Sequence, residues 1–531
     1  MNLDKDLQSV QEVRELTKIA KEAQLEYKHY NQEQVDKIIK AMAEAGYKEA
    51  ERLAKLACEE SGFGKLQDKK TKNEFSTKNV YDSIKDLKTV GVIASEHNGK
   101  ILKIAEPMGV VAALIPSTNP TSTAMFKSLI SLKCRNAIVC SPHPRTTKSS
   151  AEALRIMSEA AEKAGAPKGL IQCMKNPTLE GTECLMKDKN IAVILATGST
   201  PMVKAAYSAG KPAYGVGSGN VPAFIERSAN YKKAIADIIY GTTFDNGTLC
   251  SSEQAIIVDR PLREKVIEEA KSQGGYFVCP EEKKKLSAAI ANDGKLNPEI
   301  VGKSAHWIAK YAGFSVPDST RVLIAEIDKV GKEEPLSMEK LSPILAFYTV
   351  DGWLEGCHRC IEILNFGGVG HSMVIHSNDT DIIMKFALEK PAFRILVNTI
   401  NSLGAVGYTT ALSPSLTLGP GTWGGSIVSE NVTAKHLINV KTLAFETLQI
   451  NQGNSLNSIN SLSSSVSFMQ QIEERLLARA GNPALNFSLK PNKPQQEQHS
   501  TLETKAMASG EIYGQGISKS EIEKIIKEFK K

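Results

Sequence analysis

Between residues 110 and 209 the chain repeats one pattern, a short apolar run followed by a segment with helical spacing. The runs are VVAALIP (110–116), NAIVCSP (136–142) and IAVILATG (191–198), and the spacing predicts helices near 121–133, 147–164 and 199–209. A strand that is apolar along its whole length needs cover on both faces. The intervening helices supply it, so the alternation predicts a parallel α/β sheet. Ligands of such sheets bind beyond the carboxyl ends of the strands. Here those ends are Pro116 to Asn119, Ser141 to His143 and Thr197 to Ser199, an edge across which a dinucleotide could lie.

Residues 1–87 read as helices, with Val35, Ile38, Ile39 and Met42 at the spacing of one buried face. VGVIASEHNGKILKIAEP predicts a β-hairpin near 90–106 turning at Asn98-Gly99, which supplies the positive φ of a tight turn. GVGSGNVP (215–222) departs from G-x-G-x-x-G and no clear helix follows it. A weak phosphate loop and a structural turn explain its glycines equally well. A second α/β segment runs from Cys250 to about residue 410, and the Gly/Pro/Ser-rich LSPSLTLGPGTWGGSIVSENV then reads as an extended loop leading into a strand. Past residue 450, two polar linkers accompany short amphipathic helices, SFMQQIEERLLARAG and SKSEIEKIIKEFKK, which read as docking peptides or as helices folded back on the body.

A chain of 531 residues, 41% hydrophobic and 23% charged, can bury two or three domain cores, which excludes fibrous and wholly disordered classes. Sixty-five Lys and Arg against 59 Asp and Glu, without a long basic block, do not imply a nucleic-acid partner. The charged, helix-patterned N-terminus has no apolar signal core, and no stretch reaches the ~18 uninterrupted apolar residues of a membrane span, so the expectation is a cytoplasmic protein. Nine irregularly spaced cysteines do not make a disulfide framework. Cys357 and Cys360 form the one C-x-x-C, with no second ligand pair at short spacing, and H-E-x-x-H is absent. No metal is expected, and the pair reads as a coincidence on a helix surface.

Cys250 stands in TFDNGTLCSSEQAIIVD (243–259), between a predicted helix and a strand. A packing cysteine usually sits in an apolar run, whereas Gly247, Thr248, Ser251 and Ser252 leave this sulfur accessible to a ligand, as a nucleophile requires.

IPSTNPTSTAMFKSLISLKCRN, SPHPR, ILATGST, MVKAAYSAGKPAYGVGSGNVPA, TFDNGTLCSSEQ, EKLSPILA, GGVGHS and PSLTLGPGTWGGSIVSENVTAKHLINVKT occur in this order. Together they resemble the CoA-acylating aldehyde dehydrogenases, especially the aldehyde dehydrogenase half of bifunctional aldehyde-alcohol dehydrogenases, over residues 10–445. The iron-dependent alcohol dehydrogenase half of those proteins has no counterpart in these 531 residues. The resemblance implies a Rossmann-like NAD-binding domain (1–89 and 107–225), an α/β catalytic domain (226–410) and a β oligomerisation arm (90–106 and 411–446), hence a homodimer or higher homo-oligomer. Residues 447–531 resemble a linker with an encapsulation peptide of enzymes housed in bacterial microcompartments, which implies a shell protein as partner.

By the same resemblance Cys250 matches the nucleophile and Asn119 the side-chain amide that stabilises the oxyanion together with the Cys250 backbone N–H. As residues alone, Asn119 is equally a turn residue before Pro120. Glu339 matches the ligand of the nicotinamide ribose, Thr197, Gly198 and Ser199 the turn under the pyrophosphate, and Ser141, Pro142 and His143 the path of the adenine ribose. Gly217 falls in the Gly-rich loop beside them. His371 has either a role near the thiol of Cys250 or CoA, or a packing role. Hydrolytic relatives carry E-L-G-G-K to activate water, and the matching segment GVGSGNVP holds no carboxylate. Glu253 reads as structural rather than as a substitute base. The implied reaction takes a short-chain aldehyde, NAD and CoA to acyl-CoA and NADH. The rivals are a hydrolytic NAD-dependent dehydrogenase and a non-catalytic scaffold.

Overall fold

The computed structural model describes residues 4–292 and 294–448. Both tail helices expected after residue 450 lie outside the described residues. The chain opens with helices Lys5–Tyr27, Gln32–Lys48, Ala50–Ser61 and Leu66–Glu74. Asn31 and Gln34 close a reciprocal capping box at the start of the second helix, whose Val35, Ile38, Ile39 and Met42 are wholly buried. The fourth helix, LQDKKTKNE, is polar after its first residue, yet Lys69, Lys72 and Asn73 are buried. It packs against the third helix, Pro120–Lys133 and the turn Phe244–Gly247, among others.

The predicted alternation forms a wholly parallel five-stranded sheet in the spatial order Ile171–Cys173, Ala137–Pro142, Val110–Ile115, Ile191–Thr197, Ala213–Val216. Helices Pro120–Lys133, Thr147–Lys163 and Thr200–Tyr207 fall where the spacing puts them. A second parallel sheet has seven strands in the order Gly275–Phe277, Val322–Glu326, Ile344–Val350, Glu253–Asp259, Val221–Ile225, Met373–His376, Ile395–Val397. Val221–Ile225 directly follows GVGSGNVP and pairs with Glu253–Asp259, so this sheet begins before residue 226.

The hairpin pairs Gly91–Glu96 with Ile101–Pro107, and Ile438–Ala444 adds a third antiparallel strand from the far end of the described chain. Its turn is wider than two residues. His97, Asn98 and Gly99 all take left-handed φ, at 50°, 54° and 82°, and Glu96 pairs with Ile101. Cys357 and Cys360 correct the surface reading, since the helix Gly352–Phe366 turns both into the core. Their C-x-x-C spacing places them one turn apart on the packing face. No helix among the described residues is long and apolar enough to cross a membrane.

Phe224 ties the seven-stranded sheet to its helices. The ring is wholly buried and stacks on Phe386 of helix Thr380–Leu388, centroids 5.3 Å apart and 12° from parallel. Gly356 of the neighbouring helix lies flat against it, because a Cβ there would come within 2.5 Å of the ring. Phe224→Ala should therefore lower stability by about 3–5 kcal/mol, read as a shift of the urea midpoint. A loss below about 1 kcal/mol would contradict this packing.

Candidate active site

The loop that carries Cys250 begins where helix Tyr231–Thr243 stops and ends where strand Glu253–Asp259 starts. Asp245 and Asn246 both adopt left-handed φ, 48° and 52°, which throws the chain sharply toward Cys250. Cys250 is half-buried and forms part of the wall of a cavity of about 1080 Å³. That is the upper end of the range, about 300–1,000 Å³, usual for small-molecule sites.

His371 Nε2 lies 3.2 Å from the Cys250 sulfur, and its Nδ1 lies 2.9 Å from Ser372 Oγ, which also accepts from Asn401 Nδ2 at 3.1 Å. Arg394 supports the ring from behind by donating to the His371 carbonyl at 2.8 Å, to the Gly419 carbonyl at 2.8 Å and to Asn431 Oδ1 at 2.6 Å. Burial, reinforced by Arg394, pushes the His371 imidazole down to about 3. Burial pushes the Cys250 thiol up to about 12, with the Glu339 charge adding to the effect and Arg394 opposing it. Both shifts point the same way, so the pair rests as a neutral thiol beside a neutral imidazole.

Asn119 precedes helix Pro120–Lys133. Its Nδ2 donates to the Thr248 carbonyl at 3.2 Å and to Thr118 Oγ1 at 3.1 Å, while its Oδ1 accepts from the buried Lys72 ammonium. Lys72 also donates to Asp245 Oδ2 and, at 3.3 Å, to Thr248 Oγ1. Asp245 further accepts from Lys69 Nζ at 2.9 Å, Thr248 Oγ1 at 2.6 Å and the Lys65 backbone N–H at 2.7 Å. Burial pushes the Lys72 amine down to about 8 against the opposing pull of Asp245. Burial also raises the Asp245 carboxyl, but Lys72 and Lys69 outweigh it and hold the group below its ordinary value.

Ser141, Pro142, His143, Thr197, Gly198, Ser199, Gly217 and Glu339 line the same cavity as Asn119 and Cys250, whereas His371 backs Cys250. Two features of this wall suit a dinucleotide. Thr197 Oγ1 is buried without a partner, and helix Thr200–Tyr207 starts at Ser199 without a side-chain cap, which leaves its amides free for an anion. Glu339 Oε1 accepts from the Gly219 N–H at 2.8 Å, and burial raises its carboxyl to about 7. Gly219 of GVGSGNVP has no room for a side chain, since a Cβ would come within 2.2 Å of the Cys250 carbonyl oxygen and 3.0 Å of His371 Nδ1.

Glu253 is wholly buried, with Oε1 accepting from the Asn401 N–H at 2.6 Å. Burial raises its carboxyl to about 8, and it is absent from the cavity wall. Lys72, Asp245 and Arg394 are the members of this constellation that sequence reasoning missed. Lys72 gives no local signal among the lysines of LQDKKTKNE. Asp245 signals only through the turn-forming Asp-Asn-Gly before the cysteine.

A family model described as "Aldehyde dehydrogenase family" matches residues 5–275. The aldehyde-alcohol dehydrogenase of Clostridium acetobutylicum is 46% identical over 441 residues, 82% of this chain and 51% of that protein. The chain thus spans about half the length of this curated relative. The crystal structure of an acetylating aldehyde dehydrogenase from Geobacillus thermoglucosidasius is matched at 52% identity and a TM-score of 0.83, over 85% of this chain and 100% of that one. The chain belongs to the aldehyde dehydrogenase family. A propionaldehyde dehydrogenase of Rhodopseudomonas palustris, solved with bound propionyl-CoA, is similar at 27% identity and a TM-score of 0.75, covering 82% of this chain and 94% of that one.

For an aldehyde dehydrogenase the cavity is short of carboxylates, with Glu339 alone among the described lining residues. The thiol beside it is held neutral, which has a direct chemical consequence. Alkylation of Cys250 by iodoacetamide in the free protein, followed on its own tryptic peptide, should rise about tenfold per pH unit from 7 to 10, because the thiolate reacts and its fraction climbs toward a midpoint near 12. A plateau below pH 9 would contradict the neutral pair.

Proposed function

We propose that the protein is a CoA-acylating aldehyde dehydrogenase, which oxidises a short-chain aldehyde with NAD and passes the acyl group to CoA through a thioester on Cys250. The observation that carries this reading is the combination of a thiol, an amide donor and a wall whose described residues offer one carboxylate, Glu339, already bonded to the Gly219 N–H. The acetylating relative and the relative solved with propionyl-CoA favour the same chemistry.

In this reading the Cys250 sulfur bonds to the aldehyde carbon as its proton passes by way of His371 Nε2, 3.2 Å away, to solvent, because an imidazole pushed down to about 3 relays a proton rather than keeping it. The carbonyl oxygen becomes an oxyanion that takes hydrogen bonds from Asn119 Nδ2 and the Cys250 N–H. NAD supplies the acceptor for the hydride that the tetrahedral carbon then loses, and the carbonyl re-forms as a thioester. When NAD binds, Glu339 would hold a ribose, Thr197, Gly198 and Ser199 would take the pyrophosphate, and Ser141, Pro142 and His143 would border the adenosine end. Gly217 lines the same stretch of wall. With Glu339 so engaged, no lining carboxylate remains to deprotonate water, and the thioester waits for a better nucleophile. The acyl group then moves to the thiol of CoA, whose proton goes to the departing Cys250 sulfur and restores the neutral thiol, and thioester exchange conserves the bond.

A homo-oligomer is part of the proposal. The strands Gly91–Glu96 and Ile438–Ala444 form the two edges of a three-stranded arm, and their outward residues are largely exposed. Placement in a microcompartment through a shell protein rests on the pattern of residues 447–531 alone.

The test is turnover of acetaldehyde or propionaldehyde followed by NADH absorbance, with and without CoA. Sustained turnover should require CoA and yield acyl-CoA, and Cys250→Ala should lower it at least about 10³-fold while NAD still binds. Steady production of a carboxylate without CoA would instead establish the hydrolytic rival.

A further inference from the structure

Lys72 is a buried cation on a helix whose sequence reads as wholly solvated, and the reaction as described gives it no part. Its surroundings are fully specified. Three ammonium hydrogens meet three acceptors: Asp245 Oδ2, Thr248 Oγ1 and Asn119 Oδ1. Asp245 is in turn fixed by Lys69, Thr248 and the Lys65 N–H, so the ammonium has one place to sit.

The side-chain amide of Asn119 has two faces, an oxygen and an NH₂ group, and nothing intrinsic decides which one points toward the nucleophile loop. Lys72 decides it. An amide turned the other way would press its NH₂ against an ammonium and lose a charge-assisted hydrogen bond. With Oδ1 held by Lys72, Nδ2 must lie on the side of the Thr248 carbonyl, two residues before Cys250. The positive charge on Oδ1 also draws electron density from the amide and strengthens its N–H groups as donors. In the free protein one of these hydrogens lies against the neutral hydroxyl of Thr118, 3.1 Å away, a bond that an oxyanion readily displaces.

We propose that Lys72 is a positioning residue for the aldehyde chemistry: it locks the Asn119 amide with Nδ2 toward Cys250 and polarises it as an oxyanion donor. The proposal rests on the reading of Asn119 as that donor. It adds a role for a residue that touches neither the aldehyde nor the dinucleotide. The carboxylate of Asp245 keeps the lysine in place, and Lys69, donating also to the Thr118 carbonyl at 3.1 Å, joins the same network to the segment that carries Asn119.

A double-mutant cycle on the full-length protein tests it, with the first-turnover rate of NADH formation as readout and NAD affinity by fluorescence titration as control. Lys72→Met should slow the first turnover by about 10- to 100-fold, less than or equal to the loss in Asn119→Ala, since oxyanion donors contribute about 10²–10³. NAD affinity should change by less than about threefold. In the Asn119→Ala background Lys72→Met should have no further effect beyond about twofold, because the group it acts through is gone.

A loss that multiplies with that of Asn119→Ala overturns the proposal and leaves the oxyanion reading intact. A full-speed Asn119→Ala overturns both. Should Lys72→Met fail to fold, Lys72→Gln carries the same cycle, because its amide can still donate to Asp245 and Thr248 but brings no charge to Asn119. Lys72→Arg retains the cation and should recover at least about a third of the native first-turnover rate, and a folded Lys72→Arg as slow as Asn119→Ala would also count against the proposal.

Discussion

Asp245 is a carboxylate taken wholly out of water, so its charge has to be met by protein groups. Two ammonium groups, a hydroxyl and a backbone N–H do so. The donors come from two places that are far apart in sequence, the helix Leu66–Glu74 with the residue before it and the loop that carries Cys250. Breaking such a buried network by removing one partner costs about 3–5 kcal/mol, whereas the same groups in solvent would contribute little. That asymmetry holds the first helical layer against the Cys250 loop, and Asp245 tolerates a left-handed backbone to stay there. Cys250, Asn119 and Thr248 all take their positions from this junction.

Several features were legible in the sequence because they answer to local rules. The strands 110–115, 137–142 and 191–197 are apolar throughout because both faces are covered, and that pattern identifies a parallel sheet without any tertiary information. Cys250 stands out because small polar neighbours surround it. Lys72 was hidden for the opposite reason. KKTK on a helix describes a solvated face, and only the arrival of Asp245 from more distant sequence turns two of those lysines, Lys69 and Lys72, inward. The C-x-x-C of Cys357 and Cys360 misleads likewise, since three-residue spacing on an amphipathic helix can mark its buried face as well as its surface. Asn98-Gly99 signalled a turn correctly, but the left-handed conformation extends back to His97, where the sequence carries no glycine to announce it. The start of the second sheet at Val221 was obscured because GVGSGNVP runs directly into a strand that pairs with residues beyond Cys250.

The chemistry follows from what surrounds the sulfur. A neutral thiol and a neutral imidazole store no charge in the resting site, and the groups able to stabilise developing charge are an amide and backbone N–H groups. Such donors favour a tetrahedral oxyanion over its planar precursor without activating water. Gly219 reinforces this arrangement, because its missing side chain lets the Gly-rich loop pass beneath the Cys250 carbonyl and the His371 ring. The raised carboxyl of Glu253 lies behind the loop, bonded to the Asn401 N–H, where it braces the strand rather than serving the cavity.

The central claim is that the acyl group stays on Cys250 until a thiol removes it. Intact-protein mass spectrometry of the protein mixed with NAD and propionaldehyde, without CoA, addresses it directly. The account predicts a single propionyl adduct that maps to Cys250, persists for minutes and disappears on addition of CoA with formation of propionyl-CoA. An unmodified protein that goes on producing NADH and propionate under the same conditions would contradict it.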